Sequence, residues 1–117
     1  MNLADIAEAI LDGEALLARS HVQDWLSSRP DLAKEPLPET ADVRVLALSA
    51  ALVELFAERL GQQTPEWTKQ VLPLHEPVYL LRSAARMPRL RRLFEEQSPP
   101  PLRRRNLFAP ADYMTFA

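Results

Sequence analysis

The stretch that decides the fold runs from residue 45 to residue 61 and reads VLALSAALVELFAERLG. Its apolar side chains recur at the spacing of an α-helix and form one broad stripe: Val45, Leu46, Leu48, Leu52, Leu55, Phe56 and Leu60. Thr40 is a candidate N-cap, and Gly61 is typical of the residue that ends a helix. The sequence therefore predicts a helix of roughly twenty residues at the centre of the core.

The residues before this stretch predict two further helices. Residues 3–27 place their apolar side chains at helical spacing throughout. The pair Asp12-Gly13 divides that pattern. Because Asp-Gly favours turns and glycine costs about 1 kcal/mol inside a helix, we expect a break there, with one kinked helix as the alternative. Three prolines between Ser27 and Thr40 predict a loop, since proline has a fixed φ and no N–H to donate: Pro30, Pro36 and Pro38.

Prolines also divide the chain after Gly61. Thr64-Pro65 predicts the start of a short helix, with Thr64 as its cap and Pro65 at its first position. Residues 78–81, Val-Tyr-Leu-Leu, predict the beginning of another apolar helix. Residues 89–97 predict a helix that exposes arginines on one side and carries its apolar side chains on the other: Leu90, Leu93 and Phe94.

The C-terminal segment begins with a triple proline, Pro99-Pro100-Pro101. Consecutive prolines favour a stiff, extended connection, so we expect them to hold the following arginines at a defined distance. Residues 107–117 have few charges and several large apolar side chains. Such a tail is too apolar for a solvated linker, and we expect it to dock either on the chain's own core or on a partner.

These patterns together predict the fold class. No stretch alternates apolar and polar side chains long enough to predict a strand. At 117 residues, of which 47% are hydrophobic, the chain has the size of one domain and can bury a core. We therefore expect an all-α fold: a single compact domain over residues 1–117, with about five to six helices and an ordered, proline-led C-terminal tail. Residues 1–61 are its acidic helical half, and residues 62–117 are its arginine-rich half.

Charge is distributed unevenly along the chain. Residues 1–70 carry twelve acids against six bases, a formal −6, whereas residues 71–117 carry four acids against eight bases, a formal +4. Eight of the twelve arginines lie between Arg82 and Arg105. The net charge of −2 conceals this asymmetry, which directs the search for a binding site to the second half.

Side chains that could perform catalysis or bind a metal are few. The chain has no cysteine, and neither His21 nor His75 has a second histidine at ligand spacing, so no metal site is predicted. Glu54 and Glu58 lie one turn apart, opposite the apolar stripe and close to Arg59, and we interpret them as a solvated face. Two glycines are too few for a phosphate-binding loop. We expect no enzymatic activity and no cofactor.

Membrane and export signals are not evident in the sequence. No apolar run approaches the ~18 residues that span a bilayer, and the N-terminus lacks the basic and apolar regions of a secretory signal. A chain without cysteine also fits an intracellular protein. The sequence thus predicts a soluble, cytoplasmic protein.

Arginine clusters form the two candidate binding sites. The first is a possible basic surface on the predicted helices, made of Arg82, Arg86, Arg89 and Arg92. The second is a partner-binding element in the C-terminal segment, made of Arg103, Arg104, Arg105, Asn106 and Phe108. Its three adjacent arginines must point in different directions, and a buried Phe108 would supply an apolar anchor.

Three interpretations of these arginines stay open. They could pair with the acidic half inside the domain, bind an acidic protein surface, or bind the backbone of a nucleic acid. Glu95 and Glu96 follow Arg91 and Arg92 by four residues, the spacing of intrahelical ion pairs, which would neutralise part of the cluster. A pI near 5.7 is also low for a nucleic-acid-binding domain.

Three segments of the second half carry a resemblance: Glu66-Trp67, His75-Glu76-Pro77, and residues 98–108, which read SPPPLRRRNLF. Over roughly the last fifty residues, the chain resembles small bacterial proteins that end in a Ser-Pro-x-x-(Phe/Leu)-Arg-(Arg/Lys)-Arg-Asn-(Ile/Leu)-Phe motif. Such proteins are often antitoxin-like or regulatory, carry a helix-turn-helix domain in front, and are encoded beside nucleotidyltransferase-like toxins. The resemblance implies a partner-binding protein of this kind.

The front half departs from that pattern. Residues 1–61 show no helix-turn-helix, because the first helices are acidic and no basic recognition helix follows a tight turn. The function we expect is therefore a non-enzymatic protein-interaction module, the antitoxin-like or accessory member of a bacterial two-protein system for toxin-antitoxin control or defence. Its partner would be a toxin or nucleotidyltransferase-like enzyme encoded nearby. The alternatives are a DNA- or RNA-binding transcriptional regulator that uses the arginine-rich half, and a homo-oligomeric structural protein.

Overall fold

A computed structural model describes residues 2–116 of the chain. In chain order, the α-helices within that range are α1 (Leu3–Leu11), α2 (Ala15–Ser27), α3 (Val43–Leu60), α4 (Arg82–Arg86), α5 (Pro88–Gln97) and α6 (Pro100–Arg103). Short 3₁₀ helices cover Leu32–Lys34 and Glu66–Gln70. Two strands of two residues each, β1 (Val78–Tyr79) and β2 (Leu107–Phe108), pair in parallel, with Val78 beside Leu107. The fold is all-α, as the sequence predicts.

The central helix α3 is buried along most of its length, which confirms its predicted place in the core. Gly61 ends it with a left-handed backbone at φ 68°, a conformation that glycine adopts without steric cost. The predicted N-cap is wrong by two residues. The side chain of Asp42 caps the helix by accepting a hydrogen bond from the Arg44 N–H at 2.9 Å, while Thr40 accepts one from the Asp42 N–H at 3.1 Å.

The first two helices are separate, because Gly13 turns the chain between them at φ 78°. Helix α1 begins with a capping box in which Asn2 and Asp5 exchange side-chain bonds with each other's backbone N–H. It packs against both α2 and α3. Helix α2 adds an edge-on aromatic contact to α3, with the Trp25 and Phe56 ring centroids 5.8 Å apart. The three helices share one core cluster.

One predicted helix start is wrong, and another is confirmed only in part. Val78 to Leu81 do not open a helix: Val78 and Tyr79 form β1, and Leu81 is the cap position before α4. The segment after Thr64 becomes a 3₁₀ helix over Glu66–Gln70, whose cap position is Pro65 and which has no side-chain cap bond. The short helix after Thr64 is thus present without its predicted cap, whereas Val78 and Tyr79 pair with a distant part of the chain that local spacing cannot reveal.

The triple proline is helical rather than extended. Pro99 is the cap position, at φ −53° and ψ 140°, and Pro100 and Pro101 form the first turn of α6. The first N–H groups of a helix have no acceptor within it, so prolines there lose no hydrogen bond. Helix α6 packs on α3 and buries Leu102 completely.

The C-terminal tail docks on the chain's own core. Four of its side chains are buried with the residues of α1 and α3: Leu107, Ala109, Tyr113 and Met114. Burial raises the pKa of the Tyr113 hydroxyl. Of the two alternatives that the sequence left open, docking on the chain's own core is therefore the one that residues 107–116 adopt. None of the helices between residues 2 and 116 is both long enough and apolar enough to cross a membrane.

Candidate functional site

Arg105 of the predicted partner-binding element lies inside the domain. Its exposure is 6%, and its guanidinium forms an ion pair with Glu54 of α3. It also donates hydrogen bonds to the carbonyl oxygens of Thr68, at 2.8 Å, and Pro101, at 3.3 Å. One side chain thus links α3, α6 and the 3₁₀ helix that contains Thr68, and it stabilises the fold rather than facing a partner.

Glu54 is therefore not part of a solvated face, which corrects the interpretation of the carboxylates on α3. Its side chain is 13% exposed and accepts hydrogen bonds from both Arg104 and Arg105. Part of the charge asymmetry is therefore compensated inside the domain, where Glu54 of the acidic half pairs with Arg104 and Arg105 of the basic half. Because Arg104 lies 50 residues after Glu54, the spacing of neighbouring residues could not predict this pairing.

Asn106 and Phe108 continue the packing that Arg105 begins. Asn106 adopts a left-handed backbone at φ 66°, and its side-chain amide donates to the Leu74 carbonyl at 3.1 Å. Phe108 is only half-buried and stacks on the Tyr79 ring, with centroids 5.4 Å apart. The fully buried plug is the preceding residue, Leu107, so the prediction of a buried Phe108 is wrong by one residue.

Arg103 and Arg104 remain on the surface. The prediction that the three adjacent arginines point in different directions is wrong for Arg104 and Arg105, because both donate to the same carboxylate oxygen of Glu54. Arg104 keeps 61% of its side chain exposed while it lies 3.4 Å from the Glu54 carboxylate. Arg103 donates to the Glu96 carbonyl at 3.0 Å and forms no ion pair with a described residue. These two side chains are the accessible part of the predicted partner-binding element.

The arginines of the predicted basic surface, Arg82, Arg86, Arg89 and Arg92, divide into two groups. Arg82 turns away from the others and donates to the Asp12 carbonyl, beside the Gly13 turn. The remaining three are exposed together with two apolar side chains, and we call this group the α5 surface: Arg86, Met87, Arg89, Arg92 and Leu93. None of its arginines forms an ion pair with any residue in the described range.

The predicted pairing of Arg91 with Glu95 along α5 does not form. The Glu95 carboxylate instead accepts a hydrogen bond from the Tyr79 hydroxyl, and burial together with this bond raises the pKa of Tyr79. Arg91 donates to the Ala85 carbonyl and lies 5.6 Å from the centre of the Tyr79 ring. These contacts seat one side of α5 on β1 and leave the α5 surface facing solvent.

Helix α5 is held to the domain by little apolar contact. Phe94 is its only buried residue, and its strongest packing is against the short helix α4. Met87 and Leu93 are 55% and 41% exposed. Leu93 belongs to the stripe that the sequence assigns to the core, so its exposure was not predictable from spacing alone. An amphipathic helix with an uncovered apolar edge and free cations is typical of an interaction surface.

Other chemistry-bearing side chains are scattered. His21 lies half-buried on α2, and His75 is exposed in the loop before β1. In residues 2–116, no three His, Asp or Glu side chains come together as metal ligands would. Comparison with protein-family models, with curated proteins and with solved structures finds no significant match.

Proposed function

We propose that the chain is a non-enzymatic protein-interaction module that binds an acidic surface of a partner protein. In its specific form, it is the antitoxin-like or accessory member of a bacterial two-protein system, as the resemblance of residues 98–108 implies, and it acts in the cytoplasm, which the lack of cysteine supports. The observation that carries the proposal is the α5 surface, where three arginines without internal acids flank two exposed apolar side chains.

The composition of the α5 surface favours protein as its partner. Arginine and methionine are enriched at protein interfaces, and a guanidinium binds a carboxylate in a bidentate geometry. Exposed apolar side chains among the arginines, such as Met87 and Leu93, gain nothing from a phosphate backbone. The acids Glu95 and Glu96 on the same helix, and the net charge of −2, would further weaken nucleic-acid binding.

Charge reversal on α5 tests the proposal. Arg89→Glu with Arg92→Glu should abolish co-purification with the product of the adjacent gene. Acidic residues suit the first turns of a helix, so α5 itself should stay folded. The matched control, Lys34→Glu with Lys69→Glu, changes the net charge equally on exposed side chains and should bind as the native chain does. Equal binding by the native chain and the α5 variant refutes the proposal.

Two further measurements separate the alternatives. A nucleic-acid regulator should give a mobility shift that weakens by orders of magnitude between about 50 and 200 mM salt. A homo-oligomeric structural protein should scatter light as a dimer or larger assembly without any partner. Our proposal predicts neither result for the isolated chain.

A further inference from the structure

A cavity of about 590 Å³ opens between the start of α2, the start of α4 and the C-terminal tail. Its deeper walls are apolar and buried, and they come from α1, α2, the residue after β1 and the tail: Ile10, Ala18, Leu80, Tyr113 and Met114. A volume of this size lies within the range of pockets that enclose a ligand group. Among the residues of the two predicted sites, Arg82 alone lines it.

Two arginines line the cavity beside these apolar walls. Arg19 donates to the Thr115 carbonyl at 3.3 Å, and its guanidinium lies 4.6 Å from the centre of the Phe116 ring. Arg82 donates to the Asp12 carbonyl. Both arginines donate these hydrogen bonds to neutral carbonyls, and neither forms an ion pair with a described residue. Asp112 is the one acid in the lining, so the two cations outnumber it.

An exposed leucine indicates the size of the occupant. Leu16 belongs to the cavity lining and is 86% exposed, the highest value among the large apolar side chains of the described range. A small molecule within the cavity would leave Leu16 in water. A chain segment that inserts one side chain and continues across the rim would cover it, and an acid in that segment would meet Arg19 or Arg82.

We propose that this cavity receives an apolar side chain of a partner protein, in a segment that also carries a carboxylate for Arg19 and Arg82. The inference rests on the proposed function and adds a second contact site, next to α4, that selects the sequence of the partner. The α5 surface supplies general attraction to an acidic protein, whereas the cavity distinguishes an acidic segment with a large apolar residue from one without.

The test uses amide NMR spectra of the full chain and three synthetic hexapeptides as probes. The first is Gly-Asp-Glu-Leu-Phe-Gly, the second replaces both acids with lysine, and the third replaces Leu-Phe with Ala-Ala. We expect the first probe to shift the amide signals of Leu80, Ser83 and Thr115, and the other two to bind at least roughly tenfold more weakly. No shift at these amides, or an equal response to all three probes, overturns the proposal.

Variants locate the binding. Arg19→Gln with Arg82→Gln, and separately Ser83→Trp at the mouth of the cavity, should weaken the first probe by roughly tenfold. The matched control, Lys34→Gln with Lys69→Gln, removes two exposed charges outside both sites and should leave probe binding unchanged. All of these positions are exposed, and circular dichroism checks that each variant is folded. Loss of probe binding in the control overturns the cavity as the site.

The outcome is separable from that of the proposed function. If the adjacent gene product still binds the cavity variants as it binds the native chain, the cavity proposal fails while the α5 surface stands. If light scattering shows a dimer of the isolated chain that Ser83→Trp dissociates, the occupant is a second copy, which also overturns the proposal.

Discussion

Replacing Arg105 with methionine removes the charge of its buried pair with Glu54 and keeps most of the side-chain length. The guanidinium is 6% exposed and also donates to the carbonyls of Thr68 and Pro101. The substitution therefore leaves a carboxylate that is only 13% exposed with no near partner except Arg104 at 3.4 Å. Breaking one side of a buried ion pair costs about 3–5 kcal/mol, and we expect the free energy of unfolding to fall by this amount.

A loss of this size should leave the variant folded in water, so its stability can be measured. At about 0.05–0.15 kcal/mol per residue, a chain of 117 residues has a stability of about 6–18 kcal/mol. Urea titration followed by the fluorescence of Trp25 and Trp67, and by far-ultraviolet circular dichroism, should give a lower midpoint with an unchanged slope. Agreement of the two signals shows that the domain still unfolds in one step.

Arg104→Met is the matched control, because Arg104 contacts the same carboxylate oxygen of Glu54 from the surface. Its side chain is 61% exposed, so solvent screens the pair and the loss should stay below about 1 kcal/mol. In the Arg105→Met background, Glu54→Gln should recover part of the lost stability, since it removes the stranded carboxylate charge. Equal losses for Arg104→Met and Arg105→Met would refute burial as the source of the stability.

Three further substitutions test other parts of the fold. Ser98→Ala should lower the free energy of unfolding by about 1–3 kcal/mol in urea titration. The reason is that the buried hydroxyl accepts from the Ala109 N–H at 2.8 Å and donates to the Ala109 carbonyl at 3.0 Å. A loss no larger than that of the exposed control Ser20→Ala contradicts this expectation. Gly61→Ala should cost about 1 kcal/mol, because φ is 68° but no atom lies within 4 Å of an added Cβ; a neutral result shows that the left-handed cap is not required. Burial raises the pKa of Tyr113, so above pH ~10 the unfolded chain loses this proton while the folded chain keeps it, and stability should fall with rising pH by about 1.4 kcal/mol per unit. Tyr113→Phe should remove this contribution in alkaline urea titrations and leave only that of Tyr79, whose pKa is also raised; an unchanged slope shows that the Tyr113 hydroxyl ionises in the folded state.

The central helix was predictable because its signals are local. The apolar stripe of residues 45–60 and the glycine after it both act within a few turns of backbone. The break at Asp12-Gly13 is local in the same sense. The exposure of Arg86, Arg89 and Arg92 also follows from their place on the polar side of short helices.

The features that sequence reasoning missed depend on residues far apart in the chain. β1 forms because its backbone pairs with residues 107–108, which no local pattern in Val78-Tyr79 announces. Glu54 is buried because Arg104 and Arg105 approach it from across the fold. The helical triple proline is a different case, since the same residues suit an extended segment and the first turn of a helix equally well.

The docking of the C-terminal tail has a consequence for the synthesis of the protein. Leu102, Leu107 and Met114 complete the core around α3, yet the ribosome adds them after every residue of α1 to α5. Until then, the growing chain exposes the apolar side chains that these residues cover. Since a domain generally folds as a unit, we expect the nascent chain to complete its core only after translation has passed the tail.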